Sequence, residues 1–274
     1  MTARRIGAVA GGTAWRLWLL ATRPRTLTMA AVPVTVGGAL AWVRGADPAV
    51  LTFLVTLACA ALIQIGTNLF NDANDGARGA DGPERIGPLR ITGAGLATPR
   101  AVRRAALVSF GLALLGGLHL VLVGGVPILV IGLASLGAGF AYSAGPRPLS
   151  HGPWGELYVI VFFGVVAVGG TWYLQAGRAP DAPVLLTGLA IGAYAAAVLL
   201  VNNLRDTAAD RAAGRRTLAI RLGARRARWL YGALMLTPFP LLAWAWGPVA
   251  VAWLWLAAPV CLARALAFLR MPVG

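Results

Sequence analysis

Long stretches without charge are the feature that most restricts the fold of this chain. Four stretches contain no Asp, Glu or Arg, namely residues 26–43, 48–70, 157–177 and 182–204. Each is close to the length of about 20 mostly apolar residues that a helix needs to cross a bilayer. Two longer uncharged stretches, residues 105–146 and 229–263, can each hold two such helices. The sequence therefore predicts an all-α, polytopic transmembrane helix bundle with eight spans.

Glycine and proline mark the expected breaks inside the two longer stretches. "GGVP" occupies positions 124–127 and "WGP" occupies positions 246–248. Both residue types interrupt helices readily, so each longer stretch is expected to fold as two spans. A membrane β-barrel is excluded, because its strands alternate in polarity and are far shorter than these stretches. The composition agrees, since only 12% of the residues are charged, against about 25% in a soluble domain.

The net charge of +15 comes from arginine alone, because the chain contains no lysine. If the N-terminus lies in the cytoplasm and eight spans alternate, only Arg44 and Arg178 fall outside. The positive-inside rule predicts this asymmetry, so the charge is interpreted as topology and not as binding of nucleic acid. We expect one transmembrane domain over residues 1–274 in the cell membrane, with a short cytoplasmic segment at about 1–22 and no signal peptide. The first span would act as the membrane-entry signal.

Two acidic turns follow equivalent spans. Six of the nine acidic residues lie in the loops after spans 2 and 6, which open "NLFNDANDGARG" and "NNLRDTAADRAAGRR". The matching polar residues are Asn68, Asp72 and Asp75 in the first turn, and Asn202, Asp206 and Asp210 in the second. The repeat predicts two four-helix halves around a central cavity, each presenting an acidic turn at its cytoplasmic mouth.

Paired carboxylates in this arrangement indicate a cation site. Residues three or four apart share one helix face, so each turn should present two carboxylates together. Carboxylates that converge repel one another unless a cation lies between them, and oxygen ligands suit Mg²⁺ shared with a substrate phosphate. Arginines beside the acids could bind that phosphate in bidentate fashion. A solvated salt bridge is the simpler reading of any single acid, but it does not explain the repeat.

At these residues the sequence resembles the UbiA superfamily of intramembrane aromatic prenyltransferases. Both aspartate motifs match, and the resemblance covers about residues 20 to 260. The branch that uses 1,4-dihydroxy-2-naphthoate is the most similar, on "RPRTLTMAAVPVTVGGALA", "GPERIGPLRITGAGLATPRAVRRAA" and "YSAGPRPLSHGPWGELYVIVFFGVVAVGGTWYLQ". Arg25 and Arg215 stand where that family often has Lys. The family usually has nine transmembrane helices, so a ninth helix is expected to be missing here.

The resemblance implies a reaction and a set of site residues. The donor would be a polyprenyl diphosphate, the acceptor 1,4-dihydroxy-2-naphthoate and the product demethylmenaquinone, with loss of CO₂ and diphosphate. Mg²⁺ would be held by Asp72, Asp75, Asp206 and Asp210, with support from Asn68 and Asn202 and with Asp81 as a weaker candidate. The diphosphate would contact Arg78, Arg85 and Arg147, and the acceptor pocket would be bordered by Tyr142 and Glu156.

Three alternatives remain at this stage. The acceptor could instead be homogentisate, 4-hydroxybenzoate, haem or a chlorophyllide, because sequence marks the acceptor pocket poorly. A transporter is disfavoured, since its ionisable residues usually lie near the middle of the membrane, whereas these acids follow the span ends. A structural scaffold would have no need of repeated acidic turns. Prenyl chain length and oligomeric state are left open.

Overall fold

The computed structural model describes residues 14–77, 90–143, 148–249 and 252–270. Every regular element in these ranges is helical, which confirms the all-α class. In chain order the helices are α1 (Ala14–Ala21), α2 (Pro24–Val43), α3 (Val50–Ala77), α4 (Pro99–Ser143), α5 (Gly155–Ala176), α6 (Ala182–Arg205), α7 (Thr207–Ala212), α8 (Leu218–Leu236), α9 (Pro238–Trp246) and α10 (Ala258–Arg270), with short 3-10 turns at Leu149–His151 and Ala252–Ala257.

Helix α4 shows how glycine divides a long apolar stretch. Its 45 residues would extend about 68 Å at 1.5 Å per residue, roughly twice the hydrocarbon core of a bilayer. Gly125 adopts φ 65° and ψ −154° inside it, two residues before Pro127, so the chain breaks there into two spans. The break predicted at "GGVP" is confirmed. The break predicted at "WGP" is also confirmed, because α9 ends at Trp246 and Gly247 has φ 81°.

The number of spans stays a prediction. Helices α2 to α6 are long and apolar enough to cross a bilayer, and α4 supplies two spans through its break. The remaining apolar segments α8, α9 and α10 are shorter or interrupted, with Gly223 at φ 73° inside α8. The two four-helix halves likewise remain a prediction from the repeated motif.

Helices α5 and α6 touch through their backbones. A Cβ placed on Gly164 of α5 would lie 2.4 Å from the carbonyl oxygen of Gly188, and one on Gly192 would lie 2.6 Å from that of Ile160. Small residues four apart allow membrane helices to approach this closely. The π-helical segment Ile160–Val166 of α5 lies at the contact. The contact fixes α6, which carries Asn202 and Asn203 at its end, against α5.

Replacing Gly192 by alanine should therefore weaken the fold. A methyl group cannot lie 2.6 Å from a carbonyl oxygen, so the helices must separate, and overpacking of this kind costs about 1–3 kcal/mol. Thermal unfolding in detergent micelles would show the loss. Gly111→Ala on α4 is the matched control, since nothing lies within 4 Å of its Cβ position. Equal unfolding temperatures for the two variants would contradict the prediction.

The two acidic turns have different backbones. Helix α3 continues past Phe70, where the sequence placed the end of the span, as far as Ala77, so Asp72 and Asp75 are helical. Helix α6 ends at Arg205, and Asp206 lies at φ −93° and ψ 12° between α6 and the six-residue helix α7. The first acidic turn is thus one rigid helix end, and the second bends at its first aspartate.

Candidate active site

A cavity of about 370 Å³ lies between the helices, within the usual range for small-molecule sites. Its polar part is formed by the ends of α3 and α6 and by the segments beside them: Asn68, Asn71, Asn202, Asn203, Asp206 and Asp210. Apolar residues form much of the remaining wall, among them Val34, Ala113, Leu120, Ile131 and Leu174. The cavity therefore joins a polar mouth to an apolar interior.

Asp72 holds a neighbouring segment of chain. Its side chain is only 1% exposed. Its carboxylate accepts hydrogen bonds from the backbone N–H groups of Ile91 at 3.0 Å and Thr92 at 3.1 Å, and from the Thr92 hydroxyl. Asp72 thus fixes residues 91–92 onto α3, and it is not part of the described cavity wall. Its assignment as a Mg²⁺ ligand stays a prediction.

Arg215 joins the two acidic turns. One guanidinium nitrogen lies 2.6 Å from the carboxylate of Asp75 on α3, and another lies 3.1 Å from that of Asp210 on α7. Asp75, 1% exposed, also pairs with Arg90. Burial alone would lower the pKa of Arg215, but the carboxylates of Asp75 and Asp210 outweigh it and raise that pKa. The structure therefore brings the two turns together around a charged arginine.

Asp206 and Asp210 are the two motif aspartates on the cavity wall. Asp206 accepts hydrogen bonds from its neighbour Arg205 at 2.9 and 2.8 Å. Asn202 lies on the same wall. Asn68 is there too, but its amide nitrogen donates to the Thr22 carbonyl at 3.0 Å and to the Thr26 hydroxyl at 2.9 Å. Asn68 therefore ties α3 to the start of α2.

Aromatic rings line the cavity near the start of α5. The ring centroids of Tyr142 and Tyr158 are 5.1 Å apart, and those of Tyr158 and Phe162 are 4.7 Å apart. All three residues belong to the cavity wall. Glu156 is buried close by and accepts a hydrogen bond from the Asn203 amide at 2.9 Å. Tyr142 is thus part of this aromatic surface, and Glu156 lies beside it. These are the two residues predicted to border an acceptor pocket.

The predicted diphosphate contacts Arg78, Arg85 and Arg147, with the weaker candidate Asp81, lie outside the described residues. Other arginines line the described cavity: Arg23, Arg90, Arg205 and Arg215. Sequence reasoning gave Arg23 no role. It precedes Pro24 and has φ 54°, a left-handed conformation that is uncommon outside glycine and that occurs at functional sites. The signal in the sequence that could have pointed to Arg23 is an arginine directly before a proline at the start of a span.

The oxygen donors at the mouth suit a magnesium ion. No group of three or more His, Cys, Asp and Glu gathers among the described residues. Mg²⁺ is nevertheless usually bound by one or two carboxylates together with waters and substrate phosphates. Asp206 and Asp210 supply two carboxylates, and Asn71 and Asn202 supply amide oxygens on the same wall. This donor set fits Mg²⁺ shared with a diphosphate.

Comparisons with known proteins identify the family of this chain. The sequence matches the UbiA prenyltransferase family over residues 30–273. It is 43% identical to 1,4-dihydroxy-2-naphthoate octaprenyltransferase of Mycobacterium tuberculosis, covering 80% of this chain and 74% of that one. The protein of the same name from Escherichia coli is 42% identical, with coverage of 80% and 72%. The fold resembles a UbiA homolog from Archaeoglobus fulgidus solved with GPP and Mg²⁺, with a TM-score of 0.69, 18% identity and coverage of 92% and 85%.

Proposed function

Because this chain belongs to the UbiA prenyltransferase family, we propose that it transfers a polyprenyl group from polyprenyl diphosphate to 1,4-dihydroxy-2-naphthoate. Diphosphate and CO₂ leave, and the product is the hydroquinone form of demethylmenaquinone, an intermediate of menaquinone synthesis. The chain is an integral membrane protein. The observation that carries the proposal is the cavity, whose acidic and basic mouth opens into an apolar interior. The two naphthoate octaprenyltransferases described above support the choice of acceptor.

The two parts of the cavity suit the two parts of the donor. The polyprenyl tail is apolar and would lie along residues such as Leu120 and Ile131, where its burial is favourable. The diphosphate would lie at the mouth, where Arg23 and Arg90 supply donors from beside α2 and α3. Arginine binds phosphate oxygens well because its planar group can donate two parallel hydrogen bonds. This placement leaves the reacting carbon at the junction of the two parts.

The acidic residues would hold the cofactor. Asp206 and Asp210 would bind Mg²⁺ directly, with Asn202 beside them. Asp75 would hold the guanidinium of Arg215 in place. Asp72 would fix the segment that carries Ile91. When bound, Mg²⁺ stabilises the charge that develops on the leaving diphosphate. Arg215 stays charged between Asp75 and Asp210 and adds to the same electrostatic stabilisation.

The aromatic surface would receive the acceptor. The rings of Tyr142, Tyr158 and Phe162 offer a face on which a naphthalene ring can stack in an offset arrangement. As the bond between the prenyl carbon and the diphosphate oxygen breaks, the electron-rich ring carbon that carries the carboxylate bonds to the allylic cation. The carboxylate then leaves as CO₂, and its bonding electron pair returns to the ring. Apolar walls keep water from that cation, which water would otherwise capture.

We place the protein in the plasma membrane with its mouth towards the cytoplasm. Arg44 at the end of α2 pairs with Asp181 at the start of α6 at 2.7 Å, at the end of the helices away from the acidic turns. Arg178 lies over the same Trp172 ring as Arg44, at 5.3 and 5.1 Å. The two arginines expected on the outer side therefore meet at one end of the bundle, which supports the orientation.

Membranes containing the protein should form prenylated product only in the presence of a divalent cation. With labelled 1,4-dihydroxy-2-naphthoate and a polyprenyl diphosphate, a chelator should lower the initial rate at least 10²-fold, because charge on the leaving group is then uncompensated. Added Mg²⁺ should restore the rate. Parallel reactions with 4-hydroxybenzoate and homogentisate serve as controls. Product that resists chelation contradicts the metal assignment, and product formed only from another acceptor contradicts the naphthoate assignment.

A further inference from the structure

A buried acid–amide pair lies beside the aromatic surface. Glu156, in the first turn of α5, is 4% exposed. Its Oε1 atom accepts a hydrogen bond from Nδ2 of Asn203 at 2.9 Å, whereas Oε2 is buried with no hydrogen-bond partner among the described residues. Buried polar atoms are nearly always satisfied, because an unmet one costs free energy. Stability alone is therefore a poor explanation for an acid at this position.

The pair determines which way the Asn203 amide faces. Oε1 of Glu156 binds the nitrogen end of the Asn203 amide, which leaves the amide oxygen Oδ1 for another partner. Asn203 belongs to the cavity wall, whereas Glu156 does not. Glu156 therefore leaves the oxygen of Asn203 available to accept a hydrogen bond from a ligand in the cavity.

The position of Asn203 relates it to both substrates. It lies three residues before Asp206, so the two share a helix face and are separated by about 4.5 Å along the axis. The Tyr142 hydroxyl lies 3.9 Å from the Cβ position of Gly155, the neighbour of Glu156. Tyr142, Tyr158, Asn203 and Asp206 all line one cavity, so a ring stacked on the two tyrosines would share it with the Asn203 amide and the diphosphate mouth.

From this geometry we infer that Asn203 selects the acceptor by accepting a hydrogen bond from a ring hydroxyl, and that Glu156 is the positioning residue that orients it. The inference rests on the proposed function for the identity of the ring. The required ligand is a hydroxylated aromatic, and an analogue without the recognised hydroxyl leaves Oδ1 unsatisfied. A site built to bond a substrate hydroxyl rejects such analogues strongly.

Equilibrium binding to purified protein in nanodiscs tests the inference without relying on turnover. The ligands are 1,4-dihydroxy-2-naphthoate and its two analogues that lack one hydroxyl, 1-hydroxy-2-naphthoate and 4-hydroxy-2-naphthoate. The wild type should bind the dihydroxy compound at least tenfold more tightly than one of these analogues. If a single hydroxyl is recognised, the other analogue should bind about as tightly as the dihydroxy compound. Equal affinity for all three ligands overturns the inference.

Two variants separate positioning from a merely structural role. Glu156→Gln is nearly isosteric, but the glutamine amide can accept or donate a hydrogen bond. The Asn203 amide can therefore flip and exchange the positions of its oxygen and nitrogen. The tenfold preference should fall to about twofold, while affinity for the polyprenyl diphosphate stays unchanged. Asn203→Ala should lose the same preference, and the double variant should lose no more, since the two residues act as one unit. An unchanged preference in either folded variant overturns the inference.

The experiment also distinguishes failure of the inference from failure of the proposed function. If the wild type prenylates another hydroxyaromatic and not the dihydroxynaphthoate, the naphthoate assignment fails. The same binding series, repeated with that acceptor and its deoxy analogue, then tests the pair independently. A hydroxyl preference that depends on Glu156 supports the inference in that case, and its absence overturns it.

Discussion

Replacing Asp206 by alanine is expected to reduce the rate of prenyl transfer by about 10²–10³-fold, the usual effect of removing one electrostatic stabiliser, while the protein stays folded. Asp206 lies on the cavity wall, and its side chain is 15% exposed. Its partner Arg205 is 34% exposed, so the substitution leaves no charge stranded in the interior. Initial rates at saturating substrate and thermal unfolding in detergent would measure the two effects separately.

Asp72→Ala is the variant for comparison, because it removes the corresponding carboxylate from the other motif. Asp72 is 1% exposed and accepts hydrogen bonds from the N–H groups of Ile91 and Thr92. Each buried N–H left unpaired costs about 1–3 kcal/mol, so this variant should lose stability as well as activity. If Asp206→Ala keeps more than a tenth of the wild-type rate, the mouth of the cavity is not where the diphosphate leaves.

Local properties of the sequence predicted the long apolar helices and the breaks at two glycines. A transmembrane helix needs only a long apolar stretch, and the breaks at Gly125 and Gly247 need only a residue that tolerates positive φ. The end of α3 was harder to predict from the sequence. The acids after Phe70 suggested a loop, but hydrogen bonds from Ile91 and Thr92 to Asp72 fasten the following segment to a helix that continues to Ala77.

The functional contacts were only partly predictable, because they join distant parts of the chain. The repeated motif pointed to both acidic turns, yet it gave four equivalent aspartates, and only Asp206 and Asp210 line the described cavity. Which acid faces inwards depends on contacts with segments far away in sequence. In the same way, nothing in the sequence links Glu156 to Asn203. Packing of α5 on α6 brings the two together.

Replacing Arg215 by alanine should strongly destabilise the fold. Its guanidinium, 10% exposed, bridges Asp75 and Asp210, whose side chains are 2% and 9% exposed. Removing one partner of a buried ion pair typically costs about 3–5 kcal/mol, because the remaining charge is left uncompensated. Loss of the bridge also releases Asp210 from its place on the wall, so prenyl transfer should fall together with the unfolding temperature.

Arg216→Ala removes the same charge from the next position and is the control for this prediction. The Arg216 side chain is exposed, and its backbone N–H donates to the His151 carbonyl, a contact that the substitution keeps. It should leave both stability and rate close to wild type. Arg215→Lys should fall between the two, since an ammonium retains the charge but cannot present two parallel donors to two carboxylates. If Arg215→Ala and Arg216→Ala unfold at the same temperature, the bridge does not hold the two acidic turns together.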